Sequence, residues 1–286
     1  MSFAEIEMYP TLWRSLEMTD TENNPDDLYE LALRCVKNSR FDLAIPILQD
    51  LAGKMHALSL YQLGHLYKRH DLHTLLPSAW PSSTIDDQES QAKAYLRAAA
   101  GLGVPDAVYE LGAFLLRTES DPNEASLWLK KAADNGHVKA SFKLAGIYLR
   151  SRKLNAAEFY FRRASELGDK KATFELAMLY FSNRLTPPGF QPKFFSALNA
   201  GQQMRIENYK RAFPVLVEAA NRGYDEAQYM LGLLLSEGLT EFHAEICPRD
   251  EAAAERLIRE AARKGLGRAI RFLEDPSSDH PRRGLG

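Results

Sequence analysis

Thiols are scarce in this chain. Its 286 residues include two cysteines, Cys35 and Cys247, too far apart in sequence to make a redox pair or a zinc spacing, so both read as ordinary thiols. Positive charge is not in excess either: 36 Lys and Arg against 38 Asp and Glu leave a formal net charge of -2. That balance argues against nucleic acid as a general partner, and against a membrane surface for the same reason. No run of about 18 apolar residues occurs. The opening stretch "MSFAEIEMYPTLWRSLEMTD" lacks the basic start and apolar centre of a secretion signal, so the expected location is the cytoplasm. A phosphate-cradling loop is missing as well: the Gly-x-Gly of "AAAGLGVPDA" falls at the end of a predicted helix instead of after a strand.

What is abundant is a signal of small residues that returns. It reads Ala99-Ala100-Gly103, Ala132-Ala133-Gly136, Ala164-Ser165-Gly168, Ala219-Ala220-Gly223 and Ala261-Ala262-Gly265. Four residues after each Gly stands an Ala that opens a helix: Ala107, Ala140, Ala172, Ala227 and Ala269. From that Ala, Leu recurs at +4 and a small residue at +5, as in Leu111-Gly112, Leu144-Ala145, Leu176-Ala177 and Leu231-Gly232, with an earlier copy at Ser59, Leu63 and Gly64. The apolar positions keep helical period, and the small residue predicts close approach of a neighbouring helix. A second helix carries Ala92, Ala125, Ala157, Ala212 and Ala254, with Tyr95, Trp128, Tyr160, Val215 and Leu257 three residues on as expected wedges. The Gly then ends that helix, because a left-handed C′ residue without Cβ meets no clash. Helix, glycine stop, short turn, helix is a repeat array.

This pattern resembles the Sel-one-like repeat family, a branch of the tetratricopeptide-type helical repeats, over about residues 59 to 275, with a degenerate copy before it in "LYELALRCVK" and Ala44, Ile47 and Ala52. The family's Gly-x-Gly turn between the two helices is absent here. The resemblance implies an all-α, right-handed α-solenoid of about six helix-turn-helix repeats that scaffolds protein complexes without chemistry of its own. On that frame, residues 1–27 are an acidic cap segment, 28–275 the solenoid and 276–286 a disordered tail.

The repeat spacing is 33 and 32 residues between Ala107, Ala140 and Ala172, but 48, 55 and 42 elsewhere. The excess lies in insertions at 69–90, 182–209 and 237–250, all between the first and second helix of a unit and hence on one edge. Phe190, Phe194 and Phe195 in the middle insertion are either anchors for a partner or rings tucked over a repeat edge. Its end, "FFSALNAGQQMRIENYKRAF", is rich enough in helix formers to lengthen the helix that follows.

Around each first helix, position +2 is aromatic in Tyr61, Tyr109, Phe142, Phe174 and Tyr229, which is expected to pack between neighbours in the stack. The polar arc holds +3 and +10. From it and from the middle insertion we take Glu110, Arg117, Lys143, Arg150, Glu175, Phe190 and Phe194 as candidate partner-binding residues; the arginines also complement the helix macrodipole whatever binds. Arg97, Lys130, Arg162 and Arg259 on the second helices are expected to solvate the outer face.

His65, His70 and His73 in "HLYKRHDLH" are the one cluster that hints at a metal-dependent enzyme, but no Cys or paired carboxylate joins them at a recognised zinc spacing. His137 is expected in a solvent-facing turn, and Asp86 and Asp87 have no nucleophile or base beside them in sequence. The reading is therefore a non-catalytic scaffold or adaptor with no cofactor, whose partner is another protein. The resemblance leaves open a second role, a cytoplasmic immunity protein that occludes a cognate bacterial toxin.

Overall fold

In the computed structural model of the chain, residues 24–68, 85–118, 122–193, 198–241 and 244–275 are described. They form thirteen helices and one β-hairpin, and the chain divides into two compact units, one up to His137 and one from Val138. The first unit holds α1 (Pro25–Lys37), α2 (Phe41–Gly53), α3 (Ala57–Tyr67), α4 (Ile85–Gly101), α5 (Pro105–Arg117) and α6 (Pro122–Asp134). The second holds α7 (Val138–Arg150), α8 (Leu154–Glu166), α9 (Lys170–Phe181), α10 (Ala200–Asn221), α11 (Asp225–Glu237), the strands β1 (Leu239–Glu241) and β2 (Ala244–Cys247), α12 (Glu251–Arg263) and α13 (Gly267–Glu274). Within each unit a helix packs chiefly on the helices before and after it in sequence. That arrangement is the helical-repeat solenoid fold.

The Ala-Ala-x-x-Gly signal is a helix ending. After α4, the Gly103 N–H donates to Ala100 O and the Val104 N–H to Ala99 O, both at 3.2 Å, so the two alanine carbonyls left over by the helix are satisfied by the turn. The same pair of bonds closes α6, α8, α10 and α12. Each closing residue has positive φ, +86° at Gly103 and +95° at Gly168. The small residues of the pair are buried, Ser165 among them, except Ala262, which is half-buried.

Three of the turns from first to second helix have a left-handed residue without glycine, whereas α11 ends on Gly238 with φ of 72°. Ser39 after α1, Arg152 after α7 and Asn183 after α9 have φ of 58°, 56° and 55°. This is the physical form of the missing Gly-x-Gly: a left-handed residue is still required, and side-chain residues occupy it at a cost of about 1–2 kcal/mol each.

Packing inside a hairpin follows the +5 position. A Cβ added to Gly112 of α5 would stand 2.8 Å from Leu129 Cγ and 3.0 Å from Leu129 N, and one added to Gly232 of α11 would stand 2.6 Å from Ile258 Cγ1. The second helix therefore touches the backbone of the first. The deepest wedge is the residue after the one expected: Leu96, Leu129, Phe161, Leu216 and Ile258 are buried. Of the expected wedges Tyr160 is buried too, whereas Tyr95, Trp128, Val215 and Leu257 are half-buried, Tyr95 lying on Tyr67 with ring centroids 5.3 Å apart.

The +2 aromatics join successive repeats. Tyr109 stacks on His137, with centroids 4.2 Å apart, and Phe174 packs on Tyr224 at 5.2 Å. His137 is thus half-buried against a ring, with Asp106 3.8 Å from its Nε2, and is not the solvent-facing turn residue expected. Tyr224 is the residue that caps the next first helix, α11.

Candidate partner-binding surface

In the first unit, α5 carries Glu110 and Arg117. Glu110 is ion-paired to Lys68, the residue that ends α3, with both side chains half-buried. Its charge adds to the burial that pushes the nearby Tyr61 hydroxyl up to about 12. Glu110 thus links two repeats. Arg117 ends α5 in solvent, its guanidinium 5.1 Å from the Phe114 ring centroid. Leu111 and Leu115 on the other side of the helix are buried, and this amphipathic split is what turns Arg117 outward.

In the second unit, Lys143 is half-buried on α7 and makes no ion pair among the described residues. Arg150 ends the same helix exposed, its Nη1 close above Gly146. Glu175 on α9 is half-buried and likewise lacks an ion pair among the described residues. Burial pushes its carboxyl above the ordinary range, Lys171 pulling it down and Glu226 of α11 pushing it further up. The structure thus offers two strip residues with unmatched charge, Lys143 and Glu175, and two exposed arginines.

The insertion 182–209 builds a second feature. Its first part is a loop held by a turn in which the Phe190 N–H donates to Pro187 O at 3.0 Å, with Pro188 and Gly189 at the corner and φ of 69° at the glycine. Its last part is the N-terminal half of α10, 22 residues long, as the helix formers predict. Asn199 and Gln202 cap that helix reciprocally: the Gln202 N–H donates to Asn199 Oδ1 and the Asn199 N–H to Gln202 Oε1, both at 2.9 Å. Gln203 clamps the loop, accepting from the Lys193 N–H at 2.7 Å and donating to Leu198 O at 2.8 Å. Buried Asn208 donates to Leu185 O at 2.8 Å. Between loop and helix lies a cleft of about 380 Å³, lined among others by Pro187, Phe190, Lys193, Gln203, Ile206 and Glu207. Phe190 is half-buried in its wall; Phe194 lies outside the described residues.

The third insertion is not a plain loop. Residues 239–241 and 244–247 pair as antiparallel strands with Leu239 opposite Cys247, both buried, and β2 packs on α10. Arg205 of α10 reaches Glu241 at 3.2 Å. Two insertions separated by a whole first helix in sequence therefore meet on α10. Of the first insertion, residues 85–90 are the opening turns of α4, where Asp86 and Asp87 suit the helix dipole.

The sequence reading missed Gln203, Ile206, Glu207 and Asn208. The signal that could have found them is Asn199-x-x-Gln202, a capping-box spacing that marks where the insertion becomes helix. The basic residues of the second helices do more than meet solvent: Arg97 pairs with Glu124, while Arg162 donates to Glu158 Oε1 at 2.6 Å and to the Tyr180 hydroxyl at 3.1 Å. Arg211 joins the same carboxylate at 2.7 Å. Of the histidines, His65 sits exposed on α3 with its ring edge toward Tyr61, and His70 and His73 lie outside the described residues. No group of three His, Cys, Asp or Glu among the described residues is arranged to hold a metal. Burial pushes the Cys247 thiol up to about 11 and raises that of Cys35. No helix among the described residues is long and apolar enough to cross a membrane.

No model of a known protein family matches this chain, and neither does any curated protein. Solved structures do share its fold. A Sel1 repeat protein from Oxalobacter formigenes is 20% identical, with a TM-score of 0.62 over 85% of this chain and 88% of the other. A protective antigen of uropathogenic Escherichia coli that displays an SLR fold is also 20% identical, with a TM-score of 0.58 over 87% of this chain and 48% of the other. The Pseudomonas aeruginosa PilF protein is 15% identical, with a TM-score of 0.54 over 89% and 97%. The fold is accordingly that of the Sel1-type and tetratricopeptide-like repeat proteins.

Proposed function

We propose that this chain is a non-catalytic adaptor that binds another protein through the exposed strip of its first helices and through the surface its insertions add. One observation carries the reading: the 182–193 loop and the strand pair 239–241 and 244–247 both meet α10, the loop at Gln203 and the strands at Arg205, in an N-terminal half that lengthens the helix beyond what closing a hairpin requires. Material added to a repeat, braced by its own hydrogen bonds and furnished with a cleft, is typical of the loops that carry function on a rigid scaffold. In the second unit the strip residues Lys143, Arg150 and Glu175 supply polar contacts and Phe190 an apolar one; the first unit carries Glu110 and Arg117 at the equivalent repeat positions. The repeat fold supports the reading because it buries one helix face for stability and leaves another for recognition.

The test is quantitative capture from a lysate of the source cells with wild-type chain, with Phe190→Ala, and with Lys143→Glu and Arg150→Glu together. Loss of one defined partner in a folded variant is expected, by roughly tenfold or more if the substituted residues are central to the contact. Equal capture by all three would sink the surface assigned here. A toxin as the captured protein would make the adaptor an immunity protein, and stoichiometric zinc in the purified chain would favour the metal-dependent alternative at the cluster of His65, His70 and His73.

A further inference from the structure

The repeat supplies its own control for what lies over each +2 ring. In the second unit the residue before the next opening alanine brings a cation there: the Lys171 Nζ of α9 stands 5.3 Å from the Phe142 centroid, and the Arg268 guanidinium of α13 stands 5.3 Å from that of Tyr229. Phe174, which Glu226 follows in this register, has the Tyr224 ring on it instead. In the first unit the same position is Leu58 after Tyr29 and Asp106 after Tyr61. The Tyr29 ring is met at 5.2 Å by His56, which caps α3. After Tyr61 the cap of the next first helix is Val104, which has no ring, and the position of the cation is held by the Asp106 carboxylate, 69% exposed. The His65 ring, one turn on along α3, stands edge-on to Tyr61 at 6.0 Å.

We infer that Tyr61 and the acids around it seat a basic segment of a partner protein, an arginine stacking on the Tyr61 ring where the second unit uses its own Lys171 and Arg268. The charges choose that occupant. Asp106 belongs to α5, and Asp26 and Glu30 to α1, the first helices that follow and precede α3; all three acids are exposed. Burial, then Glu110 and Asp106 of α5 and Tyr29 of α1, push the Tyr61 hydroxyl up to about 12, so these groups face it. Lys68, which ends α3, is spent on Glu110. Carboxylates accept hydrogen bonds and cannot donate them, and the Tyr29, Tyr61 and Tyr109 hydroxyls have no hydrogen-bond partner among the described residues. A wall of acceptors and electron-rich rings matches a guanidinium, which offers several donors and a flat face. The dipole of α5 accounts for an acid at Asp106. It does not account for a ring without a cation where two other junctions supply one. The inference rests on the reading of the first-helix strip as a recognition surface and adds the chemistry of what one part of it recognises.

The test is titration calorimetry of the full chain, at low salt where exposed charges are least screened, with a short acetylated peptide of alternating glycine and arginine and with its glutamate counterpart. Wild type is expected to bind the arginine peptide and not the other. Tyr61→Ala is expected to weaken that binding by about fivefold, and Asp106→Lys, which gives Tyr61 a cation from its own chain, by about tenfold or more. Tyr61→Phe keeps the ring and is expected to stay within about twofold of wild type. Asp86→Lys makes the same change of net charge on α4, a second helix, and is also expected to stay within about twofold. Circular dichroism identical to wild type checks that each variant is folded. No binding by wild type, equal affinities of Asp106→Lys and Asp86→Lys, or Tyr61→Phe as weak as Tyr61→Ala would each overturn the inference. The Lys143, Arg150 and Phe190 variants probe the second unit and this titration probes the first, so either reading can fail without the other.

Discussion

Two hairpins of the second unit differ by an insertion and by little else. From α7 to α8 the chain turns in three residues around Arg152; from α9 to α10 it takes eighteen. Yet both place an alanine at +5, Ala145 and Ala177, and both bury a large residue of the second helix, Phe161 and Leu216. Both also end on a left-handed glycine, Gly168 and Gly223. The packing is set by helix faces and is indifferent to the path between them, because loop closure costs only about 0.6 kcal/mol for each doubling of length. That indifference lets an insertion carry a cleft for a closure cost of only about 1.5 kcal/mol.

The comparison breaks most sharply in the core. Phe161→Ala is expected to cost about 3–5 kcal/mol and Leu216→Ala about 2–5 kcal/mol, read as lowered urea midpoints. A cost well under 1 kcal/mol at Leu216 alone would mean that the insertion loosens its hairpin after all. Next in size is Asn208→Ala, which strips Leu185 O of its donor and is expected to cost about 1–3 kcal/mol. Hydrogen exchange should then rise across 184–193 and stay unchanged in α7 and α8. Arg152→Gly relieves a left-handed side-chain residue and is expected to raise stability by up to about 1 kcal/mol. Asn183→Gly should gain less, since Asn tolerates that conformation.

The smallest effect sharpens the electrostatics. Burial and Glu226 hold the Glu175 carboxyl above its unfolded value, so the folded chain binds that proton more tightly than the unfolded one. Its contribution is then full at pH below the unfolded carboxylate range and is lost as pH rises through the folded value. Glu175→Gln is therefore expected to stabilise the chain at pH 7, with the gain vanishing in acid. Urea midpoints of wild type and variant at both pH values check this, and a gain independent of pH would show that charge is not the cause.

Most of the fold could be read from residues that report on local geometry. Ala99-Ala100-x-x-Gly103 specifies a helix end through two backbone bonds, and a period of 33 residues implies stacked hairpins whichever partner they bind. The site was less legible. Glu110 and Glu175 occupy the same repeat position, yet one is neutralised by Lys68 and the other is left unmatched, a difference made by a residue 42 positions away. His137 reads as a turn residue and turns out to be stacked on Tyr109, because the next repeat brings the ring to it.

Sequence alone was enough to determine where helices stop, which faces they bury and that three insertions fall at equivalent points, since these depend on backbone conformation and on residues within a turn or two. Tertiary structure alone decided that two of those insertions converge on α10 and that a pair of strands forms among helices. Such outcomes depend on contacts between segments distant along the chain, and no local periodicity encodes which of them will meet.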